Sequence, residues 1–174
     1  MITERQQKWL DHLRDDDQIV IKPYDPESPA ISERVKTQVS GTLSGKYEVL
    51  HRGASYLGIS GQDEIDVYVP VSPKDFDAIV LNMIEAFGQP RSLYPLIRAR
   101  FLIEGSEKHI DVFVINKEDD GWVDSEIFTS YLLKHPKTLE AYRKLKEDGN
   151  GLSTRKNYSR KTEFINDVIG KARK

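Results

Sequence analysis

Two short stretches constrain this chain more than any others: GQDEIDVYVP at 61–70 and HIDVFVI at 109–115. Successive side chains of a strand point to opposite faces. Ile65, Val67 and Val69 therefore share one face of the first strand, and Ile110, Val112 and Val114 share one face of the second. Those faces read as buried core. The opposite faces carry Glu64, Asp66 and Tyr68 on one strand and His109, Asp111 and Phe113 on the other. If the two strands are neighbours, Glu64, Asp66 and Asp111 converge. Carboxylates so placed repel and raise one another's pKa, and a divalent cation removes the conflict. Mg²⁺ takes hard oxygen ligands and keeps positions open for water and substrate phosphates. Two such ions, roughly 3.5–4 Å apart, can stabilise both oxygens of an in-line displacement at phosphorus. Acidic residues on the open face of a half-solvated strand are common, so the pattern gains its force from its surroundings.

Around these strands the periodicity changes. Residues 3–15 read as an amphipathic helix with Trp9, Leu10 and Leu13 on one side and capping-box spacing at Thr3 and Gln6. Residues 19–25 read as extended. Ser28–Pro29 starts a helix, since proline suits the first turn, and Ile31, Val35, Val39 and Leu43 form its buried stripe. KYEVLHRG (46–53) reads as a strand and ASYLGISGQ as a loop of small residues. Ser72, Pro73, Asp75 and Gly88 punctuate a helix whose apolar face holds Phe76, Ile79, Val80, Met83, Ile84 and Phe87. IRARFLIEG (97–105) is a further strand. Three helices follow, at about 124–134, 137–147 and 154–172. The expected fold class is therefore α/β (α+β): a mixed sheet of four or five strands with helices on one face, plus a C-terminal helical subdomain. The expected division is an N-terminal helical extension at 1–18, an α/β core at 19–118, and helices packed on that core at 119–174.

Composition narrows the function classes. A chain of 174 residues suits one domain, or one domain with a small appendage. Its formal net charge of −2 advertises no global attraction to nucleic acid or membrane. The absence of cysteine excludes disulfides and thiolate metal sites and fits a reducing cytoplasm. The first residues lack the pattern of a signal peptide, and no apolar run approaches the roughly 18 residues of a membrane span. The expectation is a soluble cytoplasmic protein.

Upstream of the first acidic strand lies HRGASYLG at 51–58. A glycine at a strand-to-helix turn lets backbone N–H groups approach a phosphate, and a following helix N-terminus favours the anion. A small Gly-Ser element, then carboxylate–hydrophobic–carboxylate on a strand, then a third carboxylate on a later strand, resembles the signature of the nucleotidyltransferase superfamily with a polymerase-β-like fold. KPYDPESP (22–29), HRGASYLGISGQDEID (51–66), FTSYLLKHP (128–136), EAYRKLK (140–146) and YSRKTEFI (158–165) resemble motifs of one of its families, the GrpB family. The likeness covers about residues 20–170. This chain departs from the family pattern at Ser28, where Trp is usual, and at Ala54, where Ser is usual. Its spacer before Gly58 is one residue short, and Glu64 is a carboxylate where many members are apolar.

The resemblance implies a metal-dependent nucleotidyltransferase moving a nucleotidyl group from an NTP to an unknown acceptor, or else a non-catalytic module that binds a nucleotide or other phosphorylated ligand. Glu64, Asp66 and Asp111 would hold Mg²⁺ or Mn²⁺, two ions in an active enzyme, and Asp111 could serve as base. Gly53 and Ser55 would hold phosphates, assisted by Arg98, Arg100 and Lys161. Arg98 and Arg100 share one side of their strand, and forked guanidinium groups suit phosphate oxygens; alternatively they balance the carboxylates. Lys161 falls inside the apolar arc of the last helix, where lysines commonly snorkel. STRKNYSRK (153–161) is basic with an interleaved tyrosine, so RNA binding is a further, less favoured reading beside that of a solvated helix start. His51 and His109 read as hydrogen-bonded partners beside the site, and His135 as a helix C-terminal cap.

Overall fold

The computed structural model describes residues 1–104, 106 and 108–174. Its sheet is built around the two alternating stretches. Strand β2 (Glu64–Val71) pairs parallel with β5 (His109–Asn116), with Ile65 opposite Ile110, Val67 opposite Val112 and Val69 opposite Val114. β1 (Leu50–Arg52) flanks β2 antiparallel, while β4 (Arg98–Leu102) and then β3 (Ser92–Tyr94) extend the other side antiparallel. The order across the sheet is β1-β2-β5-β4-β3. The parallel pair needs a crossover, and helix α4 (Pro73–Phe87), entered by Pro73 and ended at Gly88, supplies its helical part.

One sheet face is wholly aliphatic and aromatic. Ile65, Val67, Val69, Ile110, Val112, Val114, Ala99 and Phe101 are buried there against Val35, Val39 and Leu43, and against Phe76, Ile79, Val80 and Met83 of α4. Val35 and Val39 lie on helix α2 (Ser28–Thr42), and Leu43 is its C-cap. The expected mixed sheet with helices on one face is what the chain forms. The sheet unit comprises Tyr24–Ile59 and Asp63–Val123; the helical unit comprises Met1–Pro23, Ser60–Gln62 and Asp124–Lys174.

Two local outcomes differ from the sequence expectation. Residues 53–57 form a short helix, α3 (Gly53–Leu57), closed by Gly58 in the left-handed region, and the strand before it shrinks to three residues. The short helix is held by a side-chain tie: His51 points to the core face, opposite Val67, and its Nε2 shares a 2.8 Å hydrogen bond with Ser55 Oγ one turn later. This anchors α3 under the end of β1. The second difference is β3, three residues that gain strand form only by pairing with β4.

In the helical unit, α1 (Glu4–Asp11) carries the expected capping box between Thr3 and Gln6. α7 (Thr154–Ala172) holds it: Trp9 meets Tyr158 edge-on at 5.4 Å, Gln6 bonds Asn166, and Arg155 donates to the Asp11 and Leu13 carbonyls. Asp17 accepts from the Thr154 N–H at 2.9 Å, which satisfies one of the otherwise orphaned donors of the first turn of α7. Helix α5 (Asp120–Lys134) runs from the sheet unit into the helical unit and is followed by α6 (Pro136–Glu147). His135 Nδ1 donates to the Tyr131 carbonyl at 2.8 Å, so it does close the end of α5. No described helix is long and apolar enough to cross a membrane.

Two stability predictions follow from this packing. Ile65 is fully buried at the centre of the sheet, so Ile65→Ala should cost about 2–4 kcal/mol in urea unfolding; a loss below 1 kcal/mol would contradict the core assignment. His51 is buried, and desolvation, reinforced by Lys36 and Arg52, pushes its pKa down from 6.5 to about 4. Between those values the unfolded chain binds a proton that the folded chain does not. Stability should therefore fall as pH drops from about 6.5 to about 4, by at most about 3 kcal/mol, with no contribution outside that window. His51→Gln should remove this component from pH-dependent urea titrations; an unchanged slope would contradict it.

Candidate functional site

The pairing that buries the aliphatic side chains sets the opposite face residue by residue. One row across four strands reads Arg52, Asp66, Asp111 and Leu102. The next reads Leu50, Tyr68, Phe113 and Arg100, and the row before it places Glu64 opposite His109. Neighbouring strands lie about 4.8 Å apart, so Asp66 and Asp111 are direct cross-strand neighbours, as expected. Glu64 lies one pleat repeat away, with an imidazole rather than a carboxylate beside it.

Asp111 is only 5 % exposed. Its Oδ2 lies 3.1 Å from His109 Nε2. Its Oδ1 is buried without a hydrogen-bond partner, 3.8 Å from Arg100 Nε, which is likewise buried and unpartnered. The two charges attract, but neither atom is satisfied, and an unmade hydrogen bond in a buried place costs roughly 1–3 kcal/mol. Asp66 is seated differently. Gly53, at φ +79°, brings its backbone so close that a Cβ there would overlap Asp66 Oδ2. Glycine is required at 53 twice over, for the left-handed backbone and for the carboxylate lying against it.

The remaining candidates are distributed as follows. The Ser55 hydroxyl is buried and engaged by His51. The Arg98 guanidinium lies over the rings of Tyr94 and Phe113, at 5.4 and 5.6 Å. Phe113 in turn stacks on Tyr68 at 4.6 Å, and Tyr68 meets Trp122 at 5.3 Å. Lys161 belongs to the helical unit, with its Nζ 4.4 Å from the centre of the Tyr158 ring. The structure thus brings together Asp66, Asp111, Gly53 and Arg100. Among the described residues, no three acidic or imidazole side chains gather as a metal ligand set. The Asp66–Asp111 pair nonetheless fits one hard cation: it offers carboxylate oxygens on adjacent strands, one of them buried and unsatisfied, and Mg²⁺ is commonly held by one or two carboxylates with phosphate and water completing its shell.

Two groups were not singled out from sequence. Arg52 is the cross-strand neighbour of Asp66, and its Nη1 donates to the His51 carbonyl at 2.8 Å. Its place could have been read from strand alternation, since His51 and Arg52 must face opposite ways. Lys108 pairs with Asp25 Oδ2 at 2.8 Å and also with Asp63. It raises no periodicity signal, because its partners come from distant segments. The Lys108 ammonium holds the Asp25 carboxyl below its ordinary pKa and ties the Tyr24-Asp25-Pro26 segment to the approach to β5.

Comparison with known proteins places the chain. The crystal structure of the conserved protein GrpB from Enterococcus faecalis superposes with a TM-score of 0.66 at 15 % identity, covering 88 % of this chain and 96 % of that one. The fold is therefore shared with that protein. A cytoplasmic RNA terminal U-transferase gives a TM-score of 0.44 at 12 % identity, covering 76 % of this chain and 40 % of that one. The Cid1 poly(U) polymerase gives 0.49 at 11 % identity, covering 76 % and 42 %. Both scores fall below what assigns a fold. No curated protein matches the chain by sequence. The family model described as GrpB protein matches residues 18–171, nearly the full length, and the chain belongs to that family.

Proposed function

We propose that the sheet face around Asp66 and Asp111 binds the phosphates of a nucleoside triphosphate together with Mg²⁺ or Mn²⁺, and that the protein transfers the nucleotidyl group to an acceptor hydroxyl or phosphate in the cytoplasm. The observation that carries this is the register of Asp66 on Asp111, with an unsatisfied buried oxygen on Asp111 and the Gly53 backbone against Asp66. Asp66 and Asp111 would hold the ion, with Glu64 at the rim, and a bound ion would neutralise charge on the triphosphate. Arg100 supplies a guanidinium for phosphate oxygens. Asp111 would take the acceptor's proton as the new O–P bond forms at the α-phosphorus. The bond to the β-phosphate oxygen breaks, and pyrophosphate leaves. Gly53 contributes a close backbone surface; the Ser55 hydroxyl, held by His51, serves α3 more directly than it serves a ligand.

A second reading is favoured by one observation: among the described residues two carboxylates gather, Asp66 and Asp111, and no third metal-ligating side chain joins them. On that reading the same face binds a phosphorylated ligand without turnover.

Turnover separates the two readings. With Mg²⁺, each NTP in turn and a panel of hydroxyl and phosphate acceptors, transfer predicts pyrophosphate release that Asp66→Asn abolishes; binding without release from any acceptor supports the binding module. In either case Asp66→Asn should fold normally and lose the metal-dependent thermal shift given by NTP. An Asp66→Asn protein that keeps that shift contradicts the site. Gly53→Ala should lower stability by about 1–2 kcal/mol through its left-handed backbone and also displace the Asp66 carboxylate. Metal-dependent binding should then weaken beyond what the lost stability explains, and wild-type binding would contradict the close approach.

A further inference from the structure

We infer that Arg100 acts as an internal stand-in cation for Asp111, released when a metal ion enters, so that metal binding and phosphate binding reinforce each other through this one side chain. The inference rests on the metal-and-phosphate reading above and concerns how that site is regulated. Its basis is the unusual pairing of Arg100 with Asp111. An arginine placed to bind a carboxylate permanently forms short, often bidentate bonds of about 2.7–2.9 Å. Here Arg100 Nε and Asp111 Oδ1 stand 3.8 Å apart, both buried and both without a hydrogen-bond partner. The pair gives charge balance without the hydrogen bonds that would make it a settled structural bridge.

The strand register explains why. Arg100 is opposite Phe113, one row away from Asp111, whose own β4 partner is Leu102. The guanidinium therefore reaches diagonally toward the carboxylate. Its side chain remains 41 % exposed, so the end beyond Nε is open to solvent, whereas Asp111 is closed in. An ion between Asp66 and Asp111 would satisfy Oδ1 and repel the guanidinium. Arg100 would then be free to turn toward solvent, where phosphate oxygens on the same ion would meet it. Conversely, a phosphate that draws Arg100 away exposes the negative charge that attracts the ion. By linkage, each ligand then raises the other's affinity by the same factor.

This coupling gives Arg100→Gln an effect that simple damage to the site would not produce. Removing the stand-in cation should tighten binding of Mn²⁺ alone, followed by the electron paramagnetic resonance of free Mn²⁺ at low ionic strength, by about tenfold. Binding of inorganic tripolyphosphate in the presence of EDTA, followed by calorimetry, should weaken by a comparable factor. Arg100→Lys, which keeps the charge, should bind Mn²⁺ within about threefold of wild type. The wild-type protein offers a second readout: the Arg100 Nε–H resonance, assigned by its loss in Arg100→Lys, should shift on addition of Mg²⁺ and remain in place in Asp66→Asn. Mn²⁺ binding that depends on Asp66 but is unchanged or weaker in Arg100→Gln overturns the inference and leaves the site standing. An Arg100 resonance that ignores Mg²⁺ while the metal binds does the same if the glutamine variant does not fold. Absence of Asp66-dependent Mn²⁺ binding in both wild type and Arg100→Gln overturns the inference and the metal reading together.

Discussion

The register of β2 on β5 is the constraint from which the rest follows. Ile65, Val67, Val69, Val112 and Val114 are completely buried on one face of these two strands. A slip of one residue in either strand would turn its whole aliphatic set outward. Each such side chain is worth roughly 1.5–3 kcal/mol of burial, so five of them hold the register firmly. The cost on the other face is smaller. Two carboxylates on neighbouring strands, if separated by no more than the strand spacing of about 4.8 Å, repel by roughly 3–4 kcal/mol at an effective dielectric near 20. Aliphatic burial therefore dictates the pairing, and the meeting of Asp66 with Asp111 is its enforced consequence.

The surrounding charges soften that consequence without cancelling it. Arg52 stands beside Asp66 in the same row, His109 reaches one oxygen of Asp111, and Arg100 approaches the other from the next row. These three groups come from three strands, and Asp111 Oδ1 is still left without a hydrogen bond. Gly53 adds a geometric element by letting backbone approach Asp66 where any other residue would intrude. On the reading proposed above, a buried carboxylate left short of one hydrogen bond would gain that missing interaction from a cation. That shortfall, more than the family's fold, is the physical argument for function, since one fold hosts many activities.

Much of this can be read from sequence because it is local. Strand alternation assigns Glu64, Asp66 and Asp111 to one face, and caps and prolines mark α1, α2 and α4 to within a few residues. The motifs from Tyr24 to Ile165 resemble those of the family that the full-length match establishes. Long-range ties are what local pattern does not carry. The three residues of β3 have no strand signal of their own and depend on β4. Ser55 reads as a phosphate ligand because Gly-small-Ser follows a strand, yet a core-facing His51 takes its hydroxyl. Arg98 and Arg100 read alike from alternation, but Arg98 settles over aromatic rings and Arg100 beside Asp111, a difference made by the rows they occupy. The N-terminal helix reads as an extension because its partners, Tyr158 and Asn166, lie some 150 residues further along the chain.

The central claim is that Asp66 and Asp111 together form a cation site on the open face of the sheet. Anomalous diffraction from crystals soaked in Mn²⁺ tests it most directly. The account predicts a peak between the two carboxylates, about 2.1 Å from an oxygen of each. A peak elsewhere, or none while Asp111 still rests against Arg100, would contradict it.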